Sequence, residues 1–304
     1  MWCLATLGAT ATLDPLRVAV LSGHDPTAWS NASCTSTSRG RIGCNLRMYE
    51  AAVEAAAAQN VSLLVMPEGY GLSDTHATED FFEPLISTVG MVPAAASTSP
   101  QQTALAAAAA RHRVAIVANI FVALANGTRR IVDVVYAPNG TCLATYSKHH
   151  LFATEKSTFT AGPFLPTTFA LGGHTFGLII CYEGVWPDLS HDWSQMQSLV
   201  AQGASAFVWS VGGHIPLDEA GGRMARRFNV SMLASEDNQA GVVLGADGSP
   251  GAYHDVHLTV PGYDVENVAV RVSTVFGRGA GAEARAVSAA AIAEDASTGI
   301  YRLK

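Results

Sequence analysis

Charge is scarce in this sequence. Of its 304 residues only 14% are Asp, Glu, Lys or Arg, against about 25% in an average soluble domain. Disorder requires low hydrophobicity with high charge, and an apolar content of 49% excludes it. A basic excess is lacking too: the net charge is −7, which argues against a nucleic-acid binder. Two long uncharged stretches, 84–110 and 157–182, are broken by Pro, Gly, Ser and Thr. Neither offers the roughly 20 apolar residues of a membrane span. No internal repeat and no linker composition divides the chain, so one large domain with a sizeable core is expected.

Asparagine is also infrequent, yet its placement is biased. Five of the nine, Asn31, Asn60, Asn126, Asn139 and Asn229, begin an Asn-X-Ser/Thr triplet. Chance at this Ser/Thr content gives roughly one to two such triplets. The excess points to a secreted glycoprotein whose N-linked glycans supply the solubility that few charges cannot. Five cysteines, an odd number, fit an extracellular chain with a free and reactive thiol. Cys34 and Cys44 are the plausible local disulfide. Residues 1–13 are weakly apolar and lack a basic start, so they make a poor signal peptide.

Strand and helix patterns alternate along the chain. Apolar runs at 16–21, 61–66, 114–124, 131–136, 142–146, 167–171, 175–181, 206–211, 231–235, 241–244 and 267–273 read as strands. Residues 45–59, 101–112, 190–202 and 216–228 read as helices, and 22–43 as a loop. The turns Ala-Asn-Gly-Thr and Pro-Asn-Gly-Thr carry two of the five sequons at hairpin tips. The order predicts a layered α/β fold with helices outside a sheet core. Residues 274–304, rich in Ala and Gly, read as a tail docked on a neighbouring subunit.

Three positions suggest chemistry. Glu68 follows the strand pattern Val61–Met66 and Pro67. A carboxylate at a strand end is partly desolvated and suited to general-base work, although a surface or capping Glu is the commoner case. Lys148, in Tyr146-Ser-Lys-His-His-Leu-Phe152, is a fixed cation for an oxyanion or a solvated strand-end lysine. His149 and His150 have no second His or Cys at ligand spacing, so no metal is assigned. Cys181 ends a fully apolar strand before a Gly-containing turn. It is a buried structural thiol or a nucleophile that needs a neighbouring base and cation.

Taken together, Leu-Val-Met-Pro-Glu68-Gly, Tyr-Ser-Lys148-His-His-Leu-Phe and Gly-Leu-Ile-Ile-Cys181-Tyr-Glu-Gly-Val-Trp-Pro-Asp resemble the nitrilase, or carbon–nitrogen hydrolase, superfamily. The resemblance runs from about Leu16 to about Ser273. Residues 207–213, 225–235 and the sequons look most like its secreted biotinidase/vanin branch, although this chain is shorter than those proteins. The resemblance implies a four-layer αββα sandwich over 1–273 and a catalytic Glu68–Lys148–Cys181 triad. It implies hydrolysis of a small linear amide through a Cys thioester, with no cofactor. The backbone N–H of Tyr182 would be the second oxyanion donor, Glu155 a second glutamate near the substrate, and Glu183 a structural support of the turn. Tyr70, His149, Trp186, Trp209 and His214 are candidate pocket walls, with core packing an equal reading for each aromatic. Two alternatives remain: a glycosylated assembly protomer, oligomeric or filamentous, and a nitrile or carbamoyl-amide hydrolase of nitrogen metabolism.

Overall fold

The computed structural model describes residues 15–69, 72, 79–96, 98–264 and 268–275. The candidate Tyr70, residues 1–13 with Cys3, and the tail beyond 275 lie outside the described residues. β1 (Leu16–Ser22), β2 (Leu63–Val65) and β3 (Ala115–Ala123) run parallel, and β4 (Arg129–Tyr136) and β5 (Cys142–Ser147) continue antiparallel as a meander. β6 (Thr168–Leu171), β7 (His174–Ile180), β8 (Ala206–Val211), β9 (Ser231–Glu236) and β10 (Val242–Leu244) form the other half, with β7, β8 and β9 parallel. β11 (His254–His257) and β12 (Ala269–Val275) close back on β1. β1 and β9 meet in one register pair, Ser22 with Glu236, so the sheet folds there into two facing layers.

Period-two alternation builds those layers. On the first sheet Val18, Val20, Leu63, Val65, Ala115 and Val117 face the second sheet and share its core. Their neighbours Ala19, Leu21, Leu64 and Ile116 pack against α2 (Ser38–Ala58) and α3 (Pro100–His112). On the far side α5 (Ser194–Ala201) and α6 (Leu217–Phe228) cover β7–β9 with Met196, Leu199, Leu217 and Met224. The order helix, sheet, sheet, helix is the expected αββα sandwich.

Three local readings need correction. α2 starts at Ser38, inside the segment read as a loop. The Thr37 hydroxyl accepts from Gly40 N–H and starts the helix despite its glycines. Cys34, in the short α1 (Ala32–Thr35), is bonded to Cys44, and this disulfide ties the first turns of α2 to α1. The helix expected at 190–202 starts only at Ser194, as α5; ahead of it lies a separate short helix, α4 (Trp186–Ser190), ended by His191 in the left-handed region. β11 had no clear apolar pattern in the sequence, and β12 runs past residue 273. All five sequon asparagines are exposed, Asn126 and Asn139 at hairpin tips.

Candidate active site

The parallel strands deliver their C-terminal ends to one place. Glu68 follows β2, Lys148 follows β5 and Cys181 follows β7, with Glu155 on the turn Ala153–Ser157. Lys148 Nζ donates to Glu68 Oε1 at 2.7 Å and to Glu155 Oε1 at 2.6 Å. One carboxylate oxygen each of Glu68 and Glu155 and the Cys181 Sγ lie within 4.8 Å of one another. Such a donor set is also that of a cation site. Here the Lys148 ammonium is the cation between the two carboxylates.

All four side chains are buried. Burial pushes the Glu68 carboxyl up to about 7; Lys148 pulls it down and Glu155 pushes it up. Burial, and then the charge of Glu68, hold the Cys181 thiol well above its usual range, with Lys148 opposing. The thiol is therefore neutral at rest and needs a base. For Lys148, burial works against charge, but Cys181, Glu68 and Glu155 outweigh it and keep the ammonium. Glu68 Oε2 has no partner among the described residues, so the base has a lone pair available. An ammonium carries three N–H donors, and the two carboxylates occupy two of them.

Cys181 sits at φ 45°, a strained position for a side chain larger than glycine, at the start of a tight turn, Cys181–Gly184. The thiol donates to Gly212 O at 3.3 Å. Trp209, a candidate wall, is fully buried beneath this turn, and its indole N–H donates to Cys181 O at 2.8 Å. Glu183 clamps the turn. Its Oε1 accepts from Tyr146 Oη at 2.6 Å, His149 N at 2.7 Å and His150 N at 3.2 Å. Its Oε2 accepts from Ile180 N at 2.8 Å and Gln195 Nε2 at 3.3 Å. One carboxylate thus fixes the residue before the nucleophile and the two residues after the lysine.

Aromatic side chains line up beside the turn. Phe152 and Tyr182 are 5.3 Å apart, Tyr182 and Trp186 5.7 Å, Trp186 and His150 4.8 Å, and His149 and Phe164 5.3 Å between ring centroids. His149 lies 4.6 Å from His150, centroid to centroid, and His150 in turn stacks on Trp186. His149 also bonds Gly162 O through Nδ1 at 2.8 Å. His214 is exposed on the loop after β8. Sequence reasoning missed Asn119 and Asp133, register partners on β3 and β4. Asn119 Oδ1 accepts from Gly69 N at 2.7 Å, and its Nδ2 donates to Asp133 Oδ1 at 2.7 Å. The pair fixes the peptide after Glu68. Burial holds Asp133 well above the carboxylate range, with Asn119 opposing. A single polar residue inside each of two apolar runs was the available signal.

The carbon-nitrogen hydrolase family pattern matches residues 33–201. No curated protein matches the chain. Among solved structures the chain is similar to an amidase from Nesterenkonia sp., with a TM-score of 0.62, 18% identity, and coverage of 85% of this chain and 89% of that one. A mutant of that amidase with acrylamide added at its active-site cysteine gives a TM-score of 0.62 at 18% identity, covering 85% and 92%. Another, in complex with butyramide, gives 0.60 at 17%, covering 85% and 90%. With its family pattern spanning more than half of the sequence and its fold shared with these structures, the chain belongs to the carbon-nitrogen hydrolase family.

Proposed function

We propose that this protein is an amidase that cleaves the C–N bond of a small linear amide through a thioester on Cys181. The carrying observation is the convergence of Cys181, Glu68 and Lys148 from three separate strand ends, and of Glu155 from the turn after Lys148, onto one buried point. Glu68 Oε2 takes the thiol proton as Sγ attacks the carbonyl carbon. Negative charge moves to the carbonyl oxygen, which accepts from the third N–H of Lys148 and the N–H of Tyr182. Such preorganised donors are worth roughly 3–4 kcal/mol each in related sites. Glu68 then gives its proton to the leaving amine. A water loses a proton to Glu68, attacks the thioester and releases the acid, and the proton returns to Sγ.

The exposed sequons at 31, 60, 126, 139 and 229, together with the Cys34–Cys44 disulfide, support placement outside the cell, in the manner of the biotinidase/vanin branch. The single sheet system from Leu16 to Val275 supports one hydrolase domain. The test is turnover of butyramide with intact-mass detection of a butyryl adduct. Wild type should hydrolyse it, Glu68→Gln should lose turnover, and Cys181→Ala should show neither turnover nor adduct. Full turnover by Cys181→Ala refutes the reading.

A further inference from the structure

α2 turns one face towards α1. Gly40, Cys44 and Arg47 stand on it at i, i+4 and i+7. A Cβ on Gly40 would lie 2.4 Å from Ser33 O, so a residue without one lets α1 pack this closely. One turn further on, Cys44 is bonded to Cys34, and Arg47 reaches over both sulfurs. Arg47 Nη2 donates to Cys44 Sγ at 3.0 Å and to Cys34 Sγ at 3.4 Å. Its guanidinium also lies 5.6 Å from the centroid of the Trp29 ring. Among the described residues no carboxylate forms an ion pair with it.

A disulfide sulfur is a weak acceptor, whereas a thiolate beside a guanidinium makes a charge-assisted bond. Arg47 therefore gains most when the S–S bond opens. A cation that favours the thiolate stabilises the dithiol over the disulfide, which is what makes a disulfide oxidising. The two cysteines differ in their hold. Cys34 lies on a single turn, with main-chain bonds from Cys34 N and Thr35 N to Asn31 O and from Ser36 N to Ala32 O. Residues 31–33 and 35–37 on either side are exposed. Cys44 lies within a 21-residue helix and nearer the guanidinium. Local opening of α1 uncovers Cys34 Sγ and leaves Cys44 Sγ in place as the leaving group.

The disulfide is also tied to the residue after the proposed base. Asn45, next to Cys44 and fully buried, accepts from Trp29 Nε1 at 2.7 Å and donates from Nδ2 to Leu72 O at 2.9 Å. Leu72 N donates to Gly69 O at 3.0 Å, and Gly69 follows Glu68.

We propose that Cys34–Cys44 is a redox-active disulfide, reduced in the folded protein by a dithiol, with Cys44 the thiolate that Arg47 holds. The thiolate of the dithiol attacks Cys34 Sγ, the S–S bond breaks, and its electron pair leaves on Cys44 Sγ. The second thiol of the reductant loses its proton to solvent and attacks its own sulfur in the mixed disulfide. Cys34 leaves as a thiolate and takes up a proton, and the reductant departs as a disulfide, having given two electrons. Freed from α1, the first turns of α2 hold Leu72 and Gly69 less firmly. The redox site itself stands without the amidase reading.

The probe is dithiothreitol against its oxidised form. Wild-type protein is equilibrated over a range of ratios, quenched in acid, alkylated and read by peptide mass, which separates Cys34 and Cys44 from Cys142 and Cys181. The bond should open reversibly with the near-ultraviolet circular dichroism retained. Arg47→Met should make it at least tenfold harder to reduce, a shift of about 30 mV. Arg47→Lys, which keeps the charge, should lie nearer wild type. Opening only as the near-ultraviolet signal is lost, an Arg47→Met midpoint within twofold of wild type, or a shift in the other direction overturns the proposal. Hydrogen exchange reads the link to Glu68. Reduction should speed exchange of the Gly69 and Leu72 amides at least tenfold, and Asn45→Ala should do so in the oxidised protein. Unchanged exchange at both amides on reduction overturns that link.

Discussion

Replacing Glu183 by Gln tests whether one carboxylate holds the nucleophile and the oxyanion cation in register. Its two oxygens accept five hydrogen bonds and donate none. A glutamine keeps one acceptor oxygen and turns the other into an NH2 donor. If the amide oxygen faces Tyr146, His149 and His150, the NH2 confronts Ile180 N–H and Gln195 Nε2. If it faces the other way, the NH2 confronts the Tyr146 hydroxyl and two backbone donors. Tyr146 can turn its hydroxyl to accept, but a backbone N–H cannot. Either orientation leaves at least one buried main-chain donor unpaired, at about 1–3 kcal/mol each, and loses the charge-assisted bonds as well. The expected loss is about 2–5 kcal/mol of stability, or a fall of roughly 5–15 °C in Tm. Activity should fall further than stability explains. Ile180 precedes Cys181 and His149 follows Lys148, so the released peptides carry both reacting groups. Displacement of about 1 Å in such groups costs on the order of 100-fold. Thermal unfolding and butyramide kcat/KM at a temperature well below both Tm values separate the two effects. A Gln variant with wild-type Tm and kcat/KM within twofold refutes the clamp.

Further predictions concern the charges and the disulfide. Because Glu68 must be ionised to accept the thiol proton and its carboxyl is pushed up to about 7, kcat/KM should fall about tenfold per pH unit below that point and level off above it; a flat profile from pH 5 to 8 contradicts this. Lys148→Met strands two buried carboxylates and should cost about 3–5 kcal/mol of stability. Loss of the ammonium that pulls Glu68 down should also move any residual acid limb to higher pH, read from single-turnover rates. Cys34→Ser opens the Cys34–Cys44 link and should lower stability by about 2–3 kcal/mol. Thermal unfolding of wild type with and without reductant should then differ by as much as wild type differs from the variant.

That Glu68, Lys148 and Cys181 belong together was legible because each follows a strand pattern and the three short motifs around them together resemble one family. Glu155 was legible only through the resemblance, as a second glutamate after the lysine; the turn that carries it brings its carboxylate to the Lys148 ammonium. Asn119 and Asp133 were not. A lone polar residue in an apolar strand acquires meaning only when the register puts the two opposite each other and one of them over Gly69 N. The start of α2 was hidden because Gly40 and Gly43 argue against a helix, and a threonine cap and a disulfide outweigh that local preference. Trp209 had the composition of a pocket wall. Its burial follows from its place on β8, register partner of Ile179 and Ala234 between two neighbouring strands.

In the proposed reaction the buried cluster lets a thiol held above its ordinary range attack near neutral pH. Creating a charge in a low-dielectric site is expensive, but moving one is not. Before attack the cluster holds the Lys148 ammonium, the Glu155 carboxylate, the Glu68 carboxylate and a neutral thiol. After the proton has moved it holds the same ammonium, the same Glu155 carboxylate, a neutral Glu68 and a thiolate. The total is unchanged, and the negative charge has moved less than 5 Å while staying beside Lys148. When Sγ attacks, the charge passes to the carbonyl oxygen and remains within reach of the same ammonium. Glu155 serves this sequence by fixing Lys148 from the side opposite Glu68 and by pushing Glu68 up towards the pH at which it can both take and return a proton. Removing the Glu155 charge should therefore lower the acid limb of the pH profile, whereas removing the Lys148 charge should raise it. Opposite shifts from two neighbours of one carboxylate distinguish electrostatic tuning from a general loosening of the site, which would not produce shifts of opposite sign.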